Sequence, residues 1–195
     1  MIIGLTGGSG SGKTTACKFF KHKGFLIIDS DLVAREVCAP GTYCIGEIKE
    51  AFGEDIVDSD GNLKRKELGS IVFSDKEKLR TLNSITHKHI VRRIKEIVSQ
   101  NKDRNIVIDA PLLFETELHR ICTMTVCVLS MEQSRIARIV KRDRISYEEA
   151  RKRIENQKDE DYYLSRCDYA FYNDLTPEDL REKLYEVFGG SYDKV

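Results

Sequence analysis

The run Gly7-Gly8-Ser9-Gly10-Ser11-Gly12-Lys13-Thr14 fits the spacing G-x-x-x-x-G-K-[ST], and its flanks fit as well. An apolar segment, Ile2–Thr6, precedes it and an amphipathic segment, 14–21, follows, so the chain is expected to open as strand, phosphate loop and helix. Glycines let backbone N–H groups wrap a phosphate without Cβ clashes, Lys13 supplies a point charge to the β- and γ-phosphates, and the Thr14 hydroxyl suits Mg²⁺. Gly8, Ser9, Gly10, Ser11, Gly12, Lys13, Thr14 and the adjoining Thr15 are therefore the candidate contacts to the phosphates of a nucleotide.

A second apolar run, 25–29, ends in acid, and three more follow at 105–109, 124–129 and 168–172, with helical periodicity between neighbours. That alternation predicts an α/β fold with a parallel sheet. Ser74-x-x-Glu77, Ser130-x-x-Gln133 and Ser146-x-x-Glu149 have capping-box spacing, and Thr176-Pro177 sets a capping hydroxyl before proline at the first helical position. Helices are expected to start near 75, 131, 147 and 177. The stretch of some 75 residues between the second and third strands is too long for one crossover and carries a helical stripe of Ile90, Val91, Ile94, Ile97 and Val98, which predicts an inserted subdomain. Pro40-Gly41 and Asp60-Gly61 read as turns.

Acids at strand ends are the next candidates. If strand geometry persists through Asp29-Ser30-Asp31, both carboxylates project to one side, toward the crevice where open α/β sheets bind ligands. Asp31 is then the candidate base for an attacking hydroxyl and Asp29 its helper and a metal candidate, while capping of the following helix is the competing role for Asp29. Ile106-Val107-Ile108-Asp109 has the Walker-B pattern, which makes Asp109 a candidate for Mg²⁺. Arg135, Arg138 and Arg142 stand at i, i+3 and i+7, one face of a helix whose other face carries Ile136, Ile139 and Val140. With the charged segment that follows, they suggest a mobile lid.

Charge and cysteine usage bound the rest. Lysine plus arginine match aspartate plus glutamate at 32 each, so the chain is no polybasic arm. Residues 62–104 nevertheless hold 12 basic against 5 acidic side chains, a surplus that could hold an anion or merely face solvent. Six cysteines without a C-x-x-C pair point to free thiols in a reducing cytoplasm. The longest uncharged apolar stretch, 121–131, is far short of the ~20 residues of a membrane span, and no membrane segment or signal peptide is expected. His22, His87, His89 and His119 lack metal-ligand spacing with the cysteines. Asn101-Lys102-Asp103-Arg104 and Asp58-Ser59-Asp60-Gly61 approach guanine-nucleotide motifs but sit in the wrong frame, and both read as turns.

Along nearly its whole length the sequence resembles the dephospho-CoA kinase family. The resemblance is carried by Gly4 to Gly8, Ser11 to Thr14, Asp29-Ser30-Asp31, Ala34-Arg35-Glu36-Val37, Pro40-Gly41, Phe52-Gly53, Ile71-Val72-Phe73 and Leu82-Asn83 with His87. Pro111-Leu112-Leu113-Phe114-Glu115, Gln133, Arg135, Arg138, Arg142-Asp143, Arg153-Ile154, Gln157, Asp168-Tyr169 and Asn173 continue it. Lys88, Ser9 and Asp174 depart from it, where proline, isoleucine and glycine are usual.

The resemblance implies a P-loop, nucleoside-monophosphate-kinase-like fold, a five-stranded parallel sheet flanked by helices, with an inserted acceptor subdomain and a lid. It implies transfer of the γ-phosphoryl of ATP to the ribose 3′-hydroxyl of dephospho-CoA, with Mg²⁺. Asp31 would be the base, and Arg35, His87, Pro111, Leu112 and Glu115 would lie along the acceptor. Lys13, Thr14, Arg138 and Arg142 would hold ATP and Mg²⁺, with Arg142 the leading lid arginine. The expected map is one domain over 1–195: core 1–61, 105–140 and 166–195, acceptor subdomain about 62–104, lid about 141–165. Neither nucleic acid nor membrane is an expected partner, and the sequence leaves the oligomeric state open. Another P-loop kinase, acting on a nucleoside monophosphate or on shikimate, remains an alternative, and a regulatory nucleic-acid-binding NTPase a more distant one.

Overall fold

A computed structural model describes residues 1–190. The backbone separates into two compact units, Met1–Ile28 with Asp103–Val195, and Asp29–Lys102.

The first unit is built on the expected parallel sheet. Strands β1 (Ile2–Thr6), β2 (Leu26–Asp29), β3 (Ile106–Asp109), β4 (Met124–Leu129) and β5 (Tyr169–Tyr172) lie in the order β2-β3-β1-β4-β5. The central β1 pairs in parallel with β3, Leu5 opposite Asp109, and with β4, Leu5 opposite Val126. Its apolar run makes this possible, since a strand covered on both faces must be apolar on both. Ile3, Leu5, Val107, Val126 and Val128 are fully buried, and only Phe171 is buried on the edge strand β5. Helices α1 (Lys13–His22) and a late helix, Pro177–Phe188, cover this sheet through Phe20, Leu180, Leu184 and Phe188. The Phe20 ring stands 5.3 Å from Phe25 and 5.2 Å from Phe188, centroid to centroid, in tilted and edge-on geometry.

The second unit is helical: α2 (Ser30–Val37), α3 (Tyr43–Phe52), α4 (Arg65–Phe73) and the 25-residue α5 (Lys76–Gln100). Cys44, Ile45, Ile48, Leu68 and Val72 form its core, and Ile90 and Ile94 are the buried part of the α5 stripe. This unit starts at Asp29, about thirty residues before the boundary at 62 suggested by the basic surplus, because α2 and α3 pack on α5. The shift changes the electrostatics. Asp29–Lys102 contains 13 basic and 13 acidic side chains, and acids outside the 62–104 window pair with bases inside it. Arg93 donates to Glu36 at 2.7 Å and Lys88 to Glu47 at 2.6 Å, which with His89 holds Glu47 below the usual carboxylate range.

Helices α6 (Glu132–Asp143), α7 (Tyr147–Glu155) and α8 (Glu160–Leu164) complete the chain before β5, and Pro177–Phe188 is α9. Two helix starts arise by the expected chemistry: Ser146 and Glu149 form a reciprocal capping box at α7, and Thr176 accepts from Asp179 N at α9. Two do not. At α5 the cap is Asp75, whose carboxylate accepts from Glu77 and Lys78 N–H, while Ser74 ends the preceding helix and bonds back to Ser70 and Ile71 carbonyls. At α6 the Ser130 hydroxyl turns away and donates to Asp174 at 2.8 Å, and the same carboxylate oxygen accepts the Met131 N–H at 2.7 Å. At α5 a carboxylate displaces the serine as cap, and at α6 a carboxylate draws the serine away from the helix end. Among the described residues no helix is long and apolar enough to cross a membrane.

Candidate active site

The loop between β1 and α1 is shaped for an anion. Gly12 caps α1 with a left-handed backbone, φ 109°, and no side chain, and the first turn contains no acid, so the N–H groups at this end of a ten-residue helix keep their partial positive charge. A Cβ at Gly12 would overlap the Asn173 amide, and one at Gly8 would overlap the Arg135 guanidinium. Ser11 is buried, and its hydroxyl has no hydrogen-bond partner among the described residues.

Three side chains hold the loop in this form by taking its carbonyls. Arg138 donates to Gly10 O at 3.0 Å, to Ser11 O at 3.4 Å and to Asn173 O at 2.6 Å. Asn173 donates its amide to Ser11 O at 2.8 Å, and Arg135 donates to Ser9 O at 3.0 Å. Turning carbonyls outward onto these donors leaves the opposite edge of the peptides, the N–H edge, for a phosphate. Arg138 also donates to Ser130 Oγ at 3.1 Å, which joins it to Asp174, a residue that departs from the family pattern.

Gln157 is a site residue whose chemistry the sequence did not disclose. Its amide oxygen accepts the Ser9 N–H at 3.0 Å and an Arg135 N–H at 2.5 Å. Gln157 and Asn173 belong to the motifs of the resemblance, and only the tertiary structure shows that each bonds the loop.

A cavity of about 240 Å³ brings together Gly8, Ser9, Lys13, Pro111, Leu112 and Glu115, with Gln157, Lys158 and Tyr163 completing its wall. The Pro111 carbonyl accepts from the buried Thr6 hydroxyl at 3.3 Å, which ties this segment to the end of β1. Burial and the Glu115 charge push the Tyr162 hydroxyl up to about 12. Asp109 ends β3 half-buried, with Oδ2 accepting from Cys17 Sγ at 3.3 Å. Thr14 is exposed on the first turn of α1. Among the described residues no group of three or more His, Cys, Asp and Glu could cage a metal. A hydroxyl and a carboxylate are nevertheless the sparse protein donor set that suits Mg²⁺ carried on phosphates.

The arginine stripe divides by partner. Arg135 and Arg138 are half-buried on the loop, and burial lowers the affinity of Arg135 for its proton. Arg142 is exposed and forms a two-pronged pair with Asp143 at 2.7 and 2.9 Å. Arg153 joins the same carboxylate, and the two guanidiniums, Arg142 first, hold Asp143 down to about 2.

In the helical unit, Asp29 corrects the strand-continuation expectation. Its Oδ1 caps α2, accepting from Asp31 N at 2.8 Å and Leu32 N at 3.2 Å, so the chain turns helical at Ser30 and residues two apart no longer share a side. Asp31 lies exposed in the first turn of α2 and Arg35 one turn later, also exposed. His87 is half-buried on α5.

A family model described as dephospho-CoA kinase matches residues 1–179. A dephospho-CoA kinase of Fusobacterium nucleatum is 38% identical over 184 residues, covering 94% of this chain and 95% of that protein. Among solved structures, a Thermus thermophilus protein aligns with a TM-score of 0.83 at 30% identity, over 98% of this chain and 97% of its own. A dephospho-CoA kinase from Campylobacter jejuni shares the fold, with a TM-score of 0.72 at 23% identity over 98% and 96% of the two chains. A match of this extent, carried on a formed phosphate loop, assigns the chain to the dephospho-CoA kinase family.

Proposed function

We propose that this chain transfers the γ-phosphoryl group of ATP to the 3′-hydroxyl of the ribose of dephospho-CoA, giving coenzyme A and ADP. The observation that carries this reading is the phosphate loop, with its carbonyls held by Arg138 and Asn173, in a chain that matches the family over residues 1–179.

Loop N–H groups within Gly8 to Thr15, that of Ser9 once Gln157 releases it, and the Lys13 ammonium bind the β- and γ-phosphates of ATP. Bound with the nucleotide through Thr14 and Asp109, with Asp29 a further carboxylate, Mg²⁺ would neutralise charge on those phosphates. Asp31 accepts the proton of the 3′-hydroxyl as its oxygen attacks the γ-phosphorus, the bond to the bridging oxygen breaks, and ADP leaves. Arg35, His87, Pro111, Leu112 and Glu115 line the acceptor. Arg142 leaves Asp143 for the transferring phosphoryl group when the lid closes, and Arg138 acts by holding the loop. In this reading residues 62–104 serve the acceptor and 141–165 form the lid.

Incubation with Mg²⁺-ATP and, separately, dephospho-CoA, AMP, dTMP and shikimate tests the acceptor. Mass analysis is expected to show one added phosphate on dephospho-CoA alone. Phosphorylation of another acceptor instead would keep the kinase chemistry and overturn the substrate. Asp31→Asn is expected to lower turnover by about 10²-fold or more while ATP binding stays unchanged; near-full turnover in that variant would remove Asp31 as the base.

A further inference from the structure

The turn joining α2 to α3 places two thiols face to face. Cys38 closes α2, Cys44 lies in the first turn of α3, and their sulfurs are 3.7 Å apart. A disulfide needs about 2.05 Å, so each sulfur has under an ångström to travel, between two helix ends joined by the turn Ala39 to Thr42. We propose that Cys38 and Cys44 are a reversible dithiol–disulfide pair, oxidised by a small peroxide.

Burial selects the oxidant. Cys38 is 8% exposed and Cys44 1%, too little for a bulky disulfide to reach either sulfur. A cavity of about 290 Å³ whose wall includes Val37, Thr42, Tyr43, Cys44 and Arg93 reaches the Cys44 side of the pair but not Cys38, which a molecule as small as hydrogen peroxide must meet through its own 8% exposure. The nucleophile is Cys38. The hydrogen bond with Cys44, in which either sulfur can be the donor, and the nearby Arg65 charge lower the Cys38 thiol against the opposing effect of burial, to about 7. Cys44 is pushed up by the same hydrogen bond, by burial and by Glu47, with Lys88 opposing, and so keeps its proton.

The chemistry closes without another reagent. The Cys38 thiolate attacks one peroxide oxygen, the O–O bond breaks, and hydroxide leaves as water, giving a sulfenic acid. Cys44 sulfur then attacks Cys38 sulfur, the S–O bond breaks, and the second water leaves with the Cys44 proton. Two thiols lose two electrons and one peroxide becomes two waters. The resulting seven-residue loop staples α3 to the helix that carries Asp31 and Arg35, and none of this rests on the kinase reading.

No lysine or arginine separates the two cysteines, so one tryptic peptide, residues 36–49, contains both. The full chain is treated with hydrogen peroxide, alkylated with iodoacetamide, digested and weighed. The expected result is peptide 36–49 lighter by two hydrogens and unalkylated, restored to two alkylations by dithiothreitol, before the other four cysteines react. In Cys44→Ser, which lacks the resolving thiol, Cys38 is expected to be trapped by dimedone as the sulfenic acid. Two alkylated cysteines in peptide 36–49 after peroxide treatment, or a disulfide that forms first between Cys127 and Cys167, would overturn the proposal. The mapping needs no substrate, so it stands or falls separately from the phosphotransfer assay.

Discussion

Lys13 lies at the end of the loop, Arg138 bonds its carbonyls and Arg142 lies one turn further along α6 on Asp143, and these different partners give the three cations different expected phenotypes. Lys13→Ala removes the only side-chain cation within the Gly7 to Thr14 motif and is expected to lower kcat by about 10²- to 10³-fold without unfolding the chain. Arg138→Ala removes donors from Gly10 O, Ser11 O and Asn173 O, so it is expected to raise KM for ATP and lower Tm together. Arg142→Ala breaks an exposed pair and leaves Arg153 on Asp143, so Tm is expected to fall less than in Arg138→Ala while kcat falls by about 10³-fold or more, as for an arginine that closes on a transferring phosphoryl group. Steady-state kinetics beside thermal melts separate the three, and equal loss of Tm in the last two variants would refute the division. The stripe was legible as a periodicity. Its division was not, because the recipients of Arg135 and Arg138 are backbone carbonyls some 125 residues away in the chain, and a carbonyl has no signature in sequence.

Among elements, every strand was legible to within a residue, because apolar runs of four to six residues bounded by polar ones have few other uses in a mixed chain. Helix starts were less so. The Ser74 and Ser130 spacings have the letters of a cap, but Asp75 stands one residue nearer the helix and Asp174 reaches Ser130 from 44 residues away. At Asp29 the local rule won over the tertiary one: a carboxylate before a helix caps it, and the strand ends there. The junction of α6 and α7 gives a prediction of the same scale. Ile136, Ile139, Ala150 and Ile154 pack the two helices together, and Asp143 is held by Arg142 and Arg153. A native pKa near 2, below about 3.9 for a free aspartate, means the unfolded chain binds this proton more tightly. Stability from Asp143 is thus fully present above pH ~4 and lost as the pH falls toward 2. A carboxyl NMR titration is expected to put its midpoint near 2 and to move it upward in Arg142→Ala; an unmoved midpoint would contradict the pairing.

For the whole molecule, the alternation of strands and helices foretold the sheet, and the length between β2 and β3 foretold an insertion. Composition within an arbitrary window misled about its charge. Residues 62–104 are basic, but the compact unit is Asp29–Lys102, and there acids and bases balance at thirteen each. On the proposed reading an anionic acceptor is met by particular side chains, with Arg35 proposed among them, rather than by a general positive field. The kinase reading depends in the end on which oxygen receives the phosphoryl group. The direct measurement is ³¹P and ¹H NMR of the product formed from Mg²⁺-ATP and dephospho-CoA by the wild-type chain and by Lys13→Ala. A new phosphomonoester resonance coupled to the ribose 3′ proton, formed by the wild type and suppressed in the variant, is the predicted result. Phosphate on another atom, or equal product from both proteins, would contradict it.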